Sequence, residues 1–422
     1  MRNNNAGFVV LGVILLCGLA LRLLFAFLVP TEQMFDFATY LELGRNISRG
    51  LGHTIDGAPV AWQGPLYAYV LGGFFWIMRT DSEMAAKALN IILSTLTIIV
   101  SIPVYARLLP DRRRLFAAVA LTAFLPVNIA YVNVLGTEVL FVFLLMSALC
   151  LFLHTDGKKA HVVLGILTGL LALTRPFMLA FPAALCLLYW LRHKKGRQTL
   201  IFTAIVTVSA MLIIAPWAIR NMRHFDRFIP ISYNAGYVRF INNNDHNDRG
   251  LWMDLLAAAE GLPERDAIAA ALDRAQGDVK RAHDLEPILS AAATRWKLEN
   301  PGAFLQLGFM RVYRSFFAAA DDLPQWAFNE ARFDTPRSQN TAEAALNIIL
   351  AAFSAVSFIL AISLLPAFFA GVKKGRETHF PDMLFCVLFV FFVAVIFISE
   401  GQPRYAFPVY PLMIYALLRK NS

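Results

Sequence analysis

Three carboxylates, Asp36, Glu138 and Glu400, and four guanidiniums, Arg22, Arg175, Arg220 and Arg404, lie within or at the margins of apolar stretches. Tyr40, Asn221 and Tyr405 accompany them, with Tyr40 one helical turn beyond Asp36. A carboxylate can accept a proton, and a guanidinium can hold a phosphate through its planar fork of N–H donors. Charges inside a membrane are expensive and usually mark a site. Together these residue types point to an anionic substrate with a base beside it.

The elements that carry them are set by composition. Hydrophobic residues make up 58% of the 422 positions and charged residues 16%, and the mean hydropathy is +0.56. Those values exclude a soluble domain of this length. The 4 cysteines all sit in apolar runs, so no disulfide framework is readable. The net charge of +9 falls in short clusters between apolar runs. That is the pattern of membrane topology, not of nucleic-acid binding.

Stretches long enough to span appear at about 8–29, 85–106, 115–134, 138–153, 200–217, 344–370, 381–399 and 404–418. The longer run at 162–191 is interrupted at Thr174-Arg175-Pro176 and reads as two helices meeting at a surface. The result is an all-α polytopic protein of about ten spans. "RLLPDRRR", "DGKKAH", "RHKKGR", "VKKGR" and the final "RK" then share one side with Arg2, which places both termini in the cytoplasm. The apolar piece 64–78 must not cross, and reads as an interfacial or re-entrant helix. The first apolar run is too long for a cleaved signal peptide and has no small-residue cleavage site after it.

Three units follow: a membrane module at 1–217 with an outer loop at 30–84, an extracytoplasmic and mostly helical region at 218–343, and C-terminal spans at 344–422. With this topology, Asp36, Tyr40, Glu138, Arg175, Arg220, Asn221, Glu400, Arg404 and Tyr405 all reach the extracytoplasmic face, and Arg22 lies about two turns inside span one. Each has a plainer role available. Arg22 can snorkel, Arg175 and Arg220 can anchor at an interface, Glu138 suits a helix N-terminus, and Asp36 can cap the helix behind it. "NNNDHNDRG" at 242–250 reads as a polar turn rather than a metal site. The co-location favours function.

The order and spacing of several segments resemble the GT-C glycosyltransferases, in the group containing protein O-mannosyltransferases and the lipid A aminoarabinose transferase (glycosyltransferase family 39-like). The segments are Arg22, Asp36 with Tyr40, "GLGHTIDGAPVAWQGPLYAYVLGGFF", "LPVNIAYVNVLGTEVLFVFLLM", "GLLALTRPFMLAFPAAL", "APWAIRNMRHFDRFIPIS", "ENPGAFLQL" and "QPRYAFPVYPLMI". The resemblance implies an integral-membrane enzyme of the bacterial inner membrane with an extracytoplasmic active site. It would pass a sugar from a polyprenyl-phosphate donor to a lipid, glycan or protein acceptor, usually with inversion. Asp36 takes the position of the family's loop-1 catalytic carboxylate. Many relatives carry an acidic pair there, whereas Phe37 follows Asp36 here. Glu138 is the candidate second carboxylate, and a divalent metal, present in some relatives, is left open.

Asp36 is expected to act as general base. Arg175, Arg220 and Arg404 are expected to cradle the phosphate, Arg22 to orient Asp36, and Tyr40, Asn221, Glu400 and Tyr405 to line the site. A lipid-linked polysaccharide polymerase or ligase is the alternative within the same chemistry. A secondary transporter is the alternative outside it, although no internal repeat is visible.

Overall fold

The computed structural model describes residues 2–317, 326–328, 341–366, 368–369 and 380–419. Each expected apolar stretch contains a helix. The N-terminal half runs α1 (Arg2–Leu28), α2 (Asp36–Ser48), a hairpin of β1 (Thr54–Ile55) and β2 (Ala58–Pro59), α3 (Leu66–Met78), α4 (Glu83–Leu108), α5 (Arg112–Phe124), α6 (Pro126–Ala130), α7 (Thr137–His154), α8 (Lys158–Thr174), α9 (Phe181–His193) and α10 (Gly196–Phe225). Then come α11 (Ala235–Ile241), α12 (Leu255–Ala258), α13 (Arg265–Arg274), α14 (Leu285–Glu299) and α15 (Pro301–Phe317). Helices α16 (Thr341–Ser363), α17 (Phe380–Ile398) and α18 (Tyr410–Leu418) complete the described chain.

Among the described residues, five helices are long and apolar enough to cross a membrane: Ala6–Leu28, Glu83–Leu108, Thr137–His154, Gly196–Phe225 and Phe380–Ile398. The chain is an integral membrane protein. Helix α16 has 23 residues, and the remaining expected spans are shorter or broken, with prolines at the breaks. The 115–134 stretch divides at Leu125, held extended by Pro126. The last stretch begins as a 3-10 turn, Pro403–Val409, before α18. Arg175 is extended ahead of Pro176 and a 3-10 turn over Pro176–Ala180, so the 162–191 run forms two helices as its sequence suggests.

Local signals place the helix starts. Ser82 caps α4 by accepting from the Ala85 N–H at 3.2 Å, and Asp111 caps α5 through the Arg113 N–H at 2.7 Å. Helix α3 has 13 residues, about 20 Å at a 1.5 Å rise, which is short of a bilayer. Along α15 the buried positions Leu307, Arg311 and Ser315 recur at helical spacing, while Leu305, Phe309 and Tyr313 are exposed. That is the two-sided character of an interfacial helix.

The spans share one continuous hydrophobic core, whereas α11 to α14 build a second, smaller one around Phe240, Leu255, Ile268 and Leu289. The turn at 242–250 is self-satisfied: Asn247 donates to the Ile241 and Leu251 carbonyls, both at 2.7 Å. At one end of the bundle the basic segments at 156–161 and 192–197 meet, beside the start of α17. Arg192 donates to the Phe152 carbonyl at 2.8 Å, His161 and His193 flank Asp156 at 3.6 and 3.8 Å, and Arg419 pairs with Asp382 at 3.0 Å. The opposite end gathers the starts of α2 and α7 and the ends of α8 and α17. The cluster "VKKGR" at 372–376 and Lys420 lie outside the described residues.

Candidate active site

At that opposite end lies a cavity of about 200 Å³, lined by Asp36, Tyr40, Glu138, Arg175, Glu400, Arg404 and Tyr405 among others. Seven of the residues singled out from sequence therefore come together. Arg404, in the turn before α18, reaches Asp36 at 3.5 Å, so a contact between positions 368 apart closes the site. The Asp36 side chain is 38% exposed, so the carboxylate keeps access to solvent. The residue before it, Phe35, adopts φ 51° and ψ −119°. A non-glycine backbone at positive φ is a strained arrangement that often accompanies a functional side chain.

Arg175 pairs with Glu138 at 2.8 Å, and both side chains are nearly sealed from solvent, at 10% and 4%. Glu138 sits in the first turn of α7, where the helix dipole favours its charge, and its second oxygen finds no hydrogen-bond partner among the described residues. The buried Nε–H groups of Arg175 and Arg404 also lack a protein acceptor among the described residues. A cavity with uncommitted guanidinium donors suits an anion. Aromatic faces desolvate both cations: Arg175 lies 5.6 Å from the Phe141 and Tyr405 rings, and Arg404 5.4 Å from Trp326.

A second chain of bonds supports Arg404. It donates to the Tyr405 hydroxyl at 3.2 Å, and that hydroxyl donates to Glu400 at 2.8 Å. Gln402 also donates to Glu400, at 2.5 Å. Burial pushes the Glu400 carboxyl above its ordinary range, against the opposing pull of Arg404. Burial, followed by the Asp36 charge, pushes Tyr40 well above a phenol's usual value, so Tyr40 stays neutral.

Three expected residues lie elsewhere. Arg22 is buried between α1, α4 and α5, where it donates to Ser94 Oγ at 2.8 Å, to the Gly18 carbonyl at 2.8 Å and to the Ala123 carbonyl at 2.9 Å. It neither orients Asp36 nor snorkels; it satisfies a carbonyl at the C-terminal end of α5 within the bundle. Arg220 donates to the His53 and Val60 carbonyls, each at 3.0 Å, and stacks 4.7 Å from Trp217. Asn221 donates to the Ile229 carbonyl at 3.0 Å. Neither lines the cavity. The hairpin at 54–59 turns its flanking carbonyls towards the end of α10, and Arg220 is spent on them.

His53 makes that anchor sensitive to pH. Its Nδ1–H faces the Val60 carbonyl at 3.0 Å, and burial, followed by Arg220, lowers its pKa to about 4. Between about pH 6.5 and 4 the unfolded chain therefore binds a proton that the folded chain refuses. Stability should fall on acidification through that window by on the order of 3 kcal/mol. Thermal unfolding in detergent at pH 7 and pH 4.5 tests this, with His53→Asn expected to flatten the difference.

Sequence reading missed Gln63, Gly64 and Asn234 in the lining, and Trp326 over Arg404. Gln63 carried a faint signal, as a polar residue between Trp62 and a Gly-Pro that opens an apolar helix. A Cβ on Gly64 would lie 2.6 Å from the Leu173 carbonyl oxygen and closer still to that of Thr174. Only glycine lets the outer loop seat against the end of α8 beside Arg175. No three His, Cys, Asp or Glu among the described residues are grouped to hold a metal. Asp36 contacts Arg404, Glu138 pairs with Arg175, and Glu400 accepts from Tyr405 and Gln402.

Fold and site together define an integral membrane protein with the GT-C fold. No family model and no curated protein matches the chain. Among solved structures it is similar to the archaeal oligosaccharyltransferase AglB from Archaeoglobus fulgidus, in complex with an inhibitory peptide and a dolichol-phosphate. The TM-score is 0.55 at 16% identity, over 99% of this chain and 50% of that one. The apo Archaeoglobus fulgidus oligosaccharyltransferase gives 0.54 at 16% identity, over 98% and 50%. ArnT from Cupriavidus metallidurans, bound to undecaprenyl phosphate, gives 0.44 at 12% identity, over 96% and 77%. This chain spans about half the length of the oligosaccharyltransferase chains it matches.

Proposed function

We propose that this protein is a membrane glycosyltransferase that moves a sugar from a polyprenyl-phosphate donor to an extracytoplasmic acceptor, with inversion at the anomeric carbon. The observation that carries the reading is the cavity itself. It sets one solvent-accessible carboxylate, Asp36, beside the guanidiniums of Arg404 and Arg175. Phe177, Phe392, Val395 and Ile396 supply an apolar wall. A lipid phosphate needs that combination, because its head is anionic and its tail is apolar. The similarity to AglB, whose structure holds a dolichol-phosphate, supports the same class of donor.

In the proposed reaction, Asp36 accepts the proton of an acceptor hydroxyl or amine as that atom attacks the anomeric carbon. The bond from that carbon to the phosphate oxygen breaks, and its electron pair leaves with the phosphate between Arg404 and Arg175. A phosphate departs as an anion, so no general acid is required. Glu138 holds Arg175, and Glu400 holds Arg404 through Tyr405. In this scheme both carboxylates position the cations, and Asp36 alone handles the proton.

The basic segments at the end remote from the cavity support an orientation with the cavity outside and the termini in the cytoplasm, in a bacterial inner membrane. The test is release of free polyprenyl phosphate from a panel of lipid-phosphate sugars, with host membrane extract as acceptor. Release that depends on the protein and names one donor supports transfer. Absence of both release and donor binding across the panel overturns it.

A further inference from the structure

The extracytoplasmic helices hold a second cavity, of about 120 Å³, that the proposed transfer does not use. It is an open cleft rather than a sealed void, with exposed residues at its mouth. Its floor is apolar, from Phe240, Ala258 and Leu262, and its rim carries Asp245, His246 and Glu299. Trp296 forms one wall, and its indole N–H donates to Asp245 Oδ1 at 2.6 Å. No set of three ligating side chains is grouped for a metal among the described residues, which disfavours an ion.

Helix α11 connects the two cavities. Asn234, at its N-terminal cap, and Val238 line the first; Phe240, near its far end, and Asn243, just past it, line the second. At 1.5 Å per residue, the cap Asn234 and the helix end at Ile241 are about 10 Å apart. That is the span of a few linked sugar rings. An indole wall with carboxylate and imidazole groups at the rim matches the apolar face and hydroxyl edge of a sugar ring.

We propose that this cavity is a subsite for a hydroxylated sugar ring, carried by a substrate longer than a single sugar. The proposal rests on the transferase reading for the identity of that substrate, and not for the binding itself. The ring belongs either to a glycan acceptor or to the distal part of an oligosaccharide-bearing donor.

The experiment is saturation-transfer NMR on the full chain in detergent, using free cellobiose-, maltose- and chitobiose-series oligosaccharides as probes. The expected result is contact with at least one series, weakened about tenfold or more by Glu299→Gln or Asp245→Asn and unchanged by Asp36→Asn. Asp245→Asn keeps an oxygen to accept the Trp296 N–H, and Glu299 is exposed, so both variants should fold. A single symmetrical elution peak checks this. Binding that survives both substitutions, or no binding by any series, overturns the subsite.

Two further arms separate the sources. If Glu299→Gln weakens binding of a lipid phosphate bearing a disaccharide but not one bearing a single sugar, the ring comes from the donor. If neither donor is affected while the free glycan is, it comes from the acceptor. Because binding needs no turnover, loss of the subsite and loss of polyprenyl-phosphate release are separate outcomes.

Discussion

Asp36→Asn is expected to lower sugar transfer by about 10²–10⁴-fold while leaving binding of the lipid phosphate nearly unchanged. The amide has the shape of the carboxylate but cannot accept a proton from the attacking atom. The fold should tolerate it. The Asp36 side chain is 38% exposed, and its contact with Arg404, at 3.5 Å, is long for an ion pair. With the Asp36 charge removed, Arg404 keeps its link to Glu400 through the Tyr405 hydroxyl. Single-turnover transfer measured beside donor binding separates the roles. A variant that binds and transfers at the native rate would reduce Asp36 to a helix-start residue.

Arg175→Met should have the largest effect on stability. Glu138 is nearly sealed from solvent and pairs with Arg175 at 2.8 Å. Truncating one partner of such a pair leaves a buried charge without compensation, at about 3–5 kcal/mol. The same change should abolish donor binding, because Arg175 is one of the two cations at the cavity. Adding Glu138→Gln removes the orphaned charge, so the double variant should regain most of the lost thermal stability and none of the donor affinity. Native donor affinity in the double variant would confine Arg175 to a structural role.

The site was legible where a polar residue broke a membrane pattern. Asp36, Glu138, Arg175, Glu400 and Arg404 interrupt or border apolar runs, and topology alone assigns them to one end. Arg220 and Arg22 broke the same pattern and lie elsewhere. A sequence shows a charge without showing its acceptors, and both acceptor sets are mostly main-chain carbonyls, joined by Ser94 Oγ for Arg22 and Asn221 Oδ1 for Arg220. The carbonyls facing Arg220 are presented by a hairpin of two-residue strands, too short to leave a periodic signal. Asn234 and Gln63 escaped notice because polar residues in loops are ordinary. The helical fold was legible from apolar run lengths, whereas breaks such as those at Leu125 and Pro403 depended on proline positions within the runs.

The contact between Asp36 and Arg404 also orders the protein's biosynthesis. The carboxylate leaves the ribosome early and its cation 368 positions later, so no shorter nascent chain holds an assembled cavity. Until the segment around Arg404 docks between α2 and α7, the inserted helices present Asp36 without its counter-cation. The assembled cavity therefore arrives late in membrane insertion.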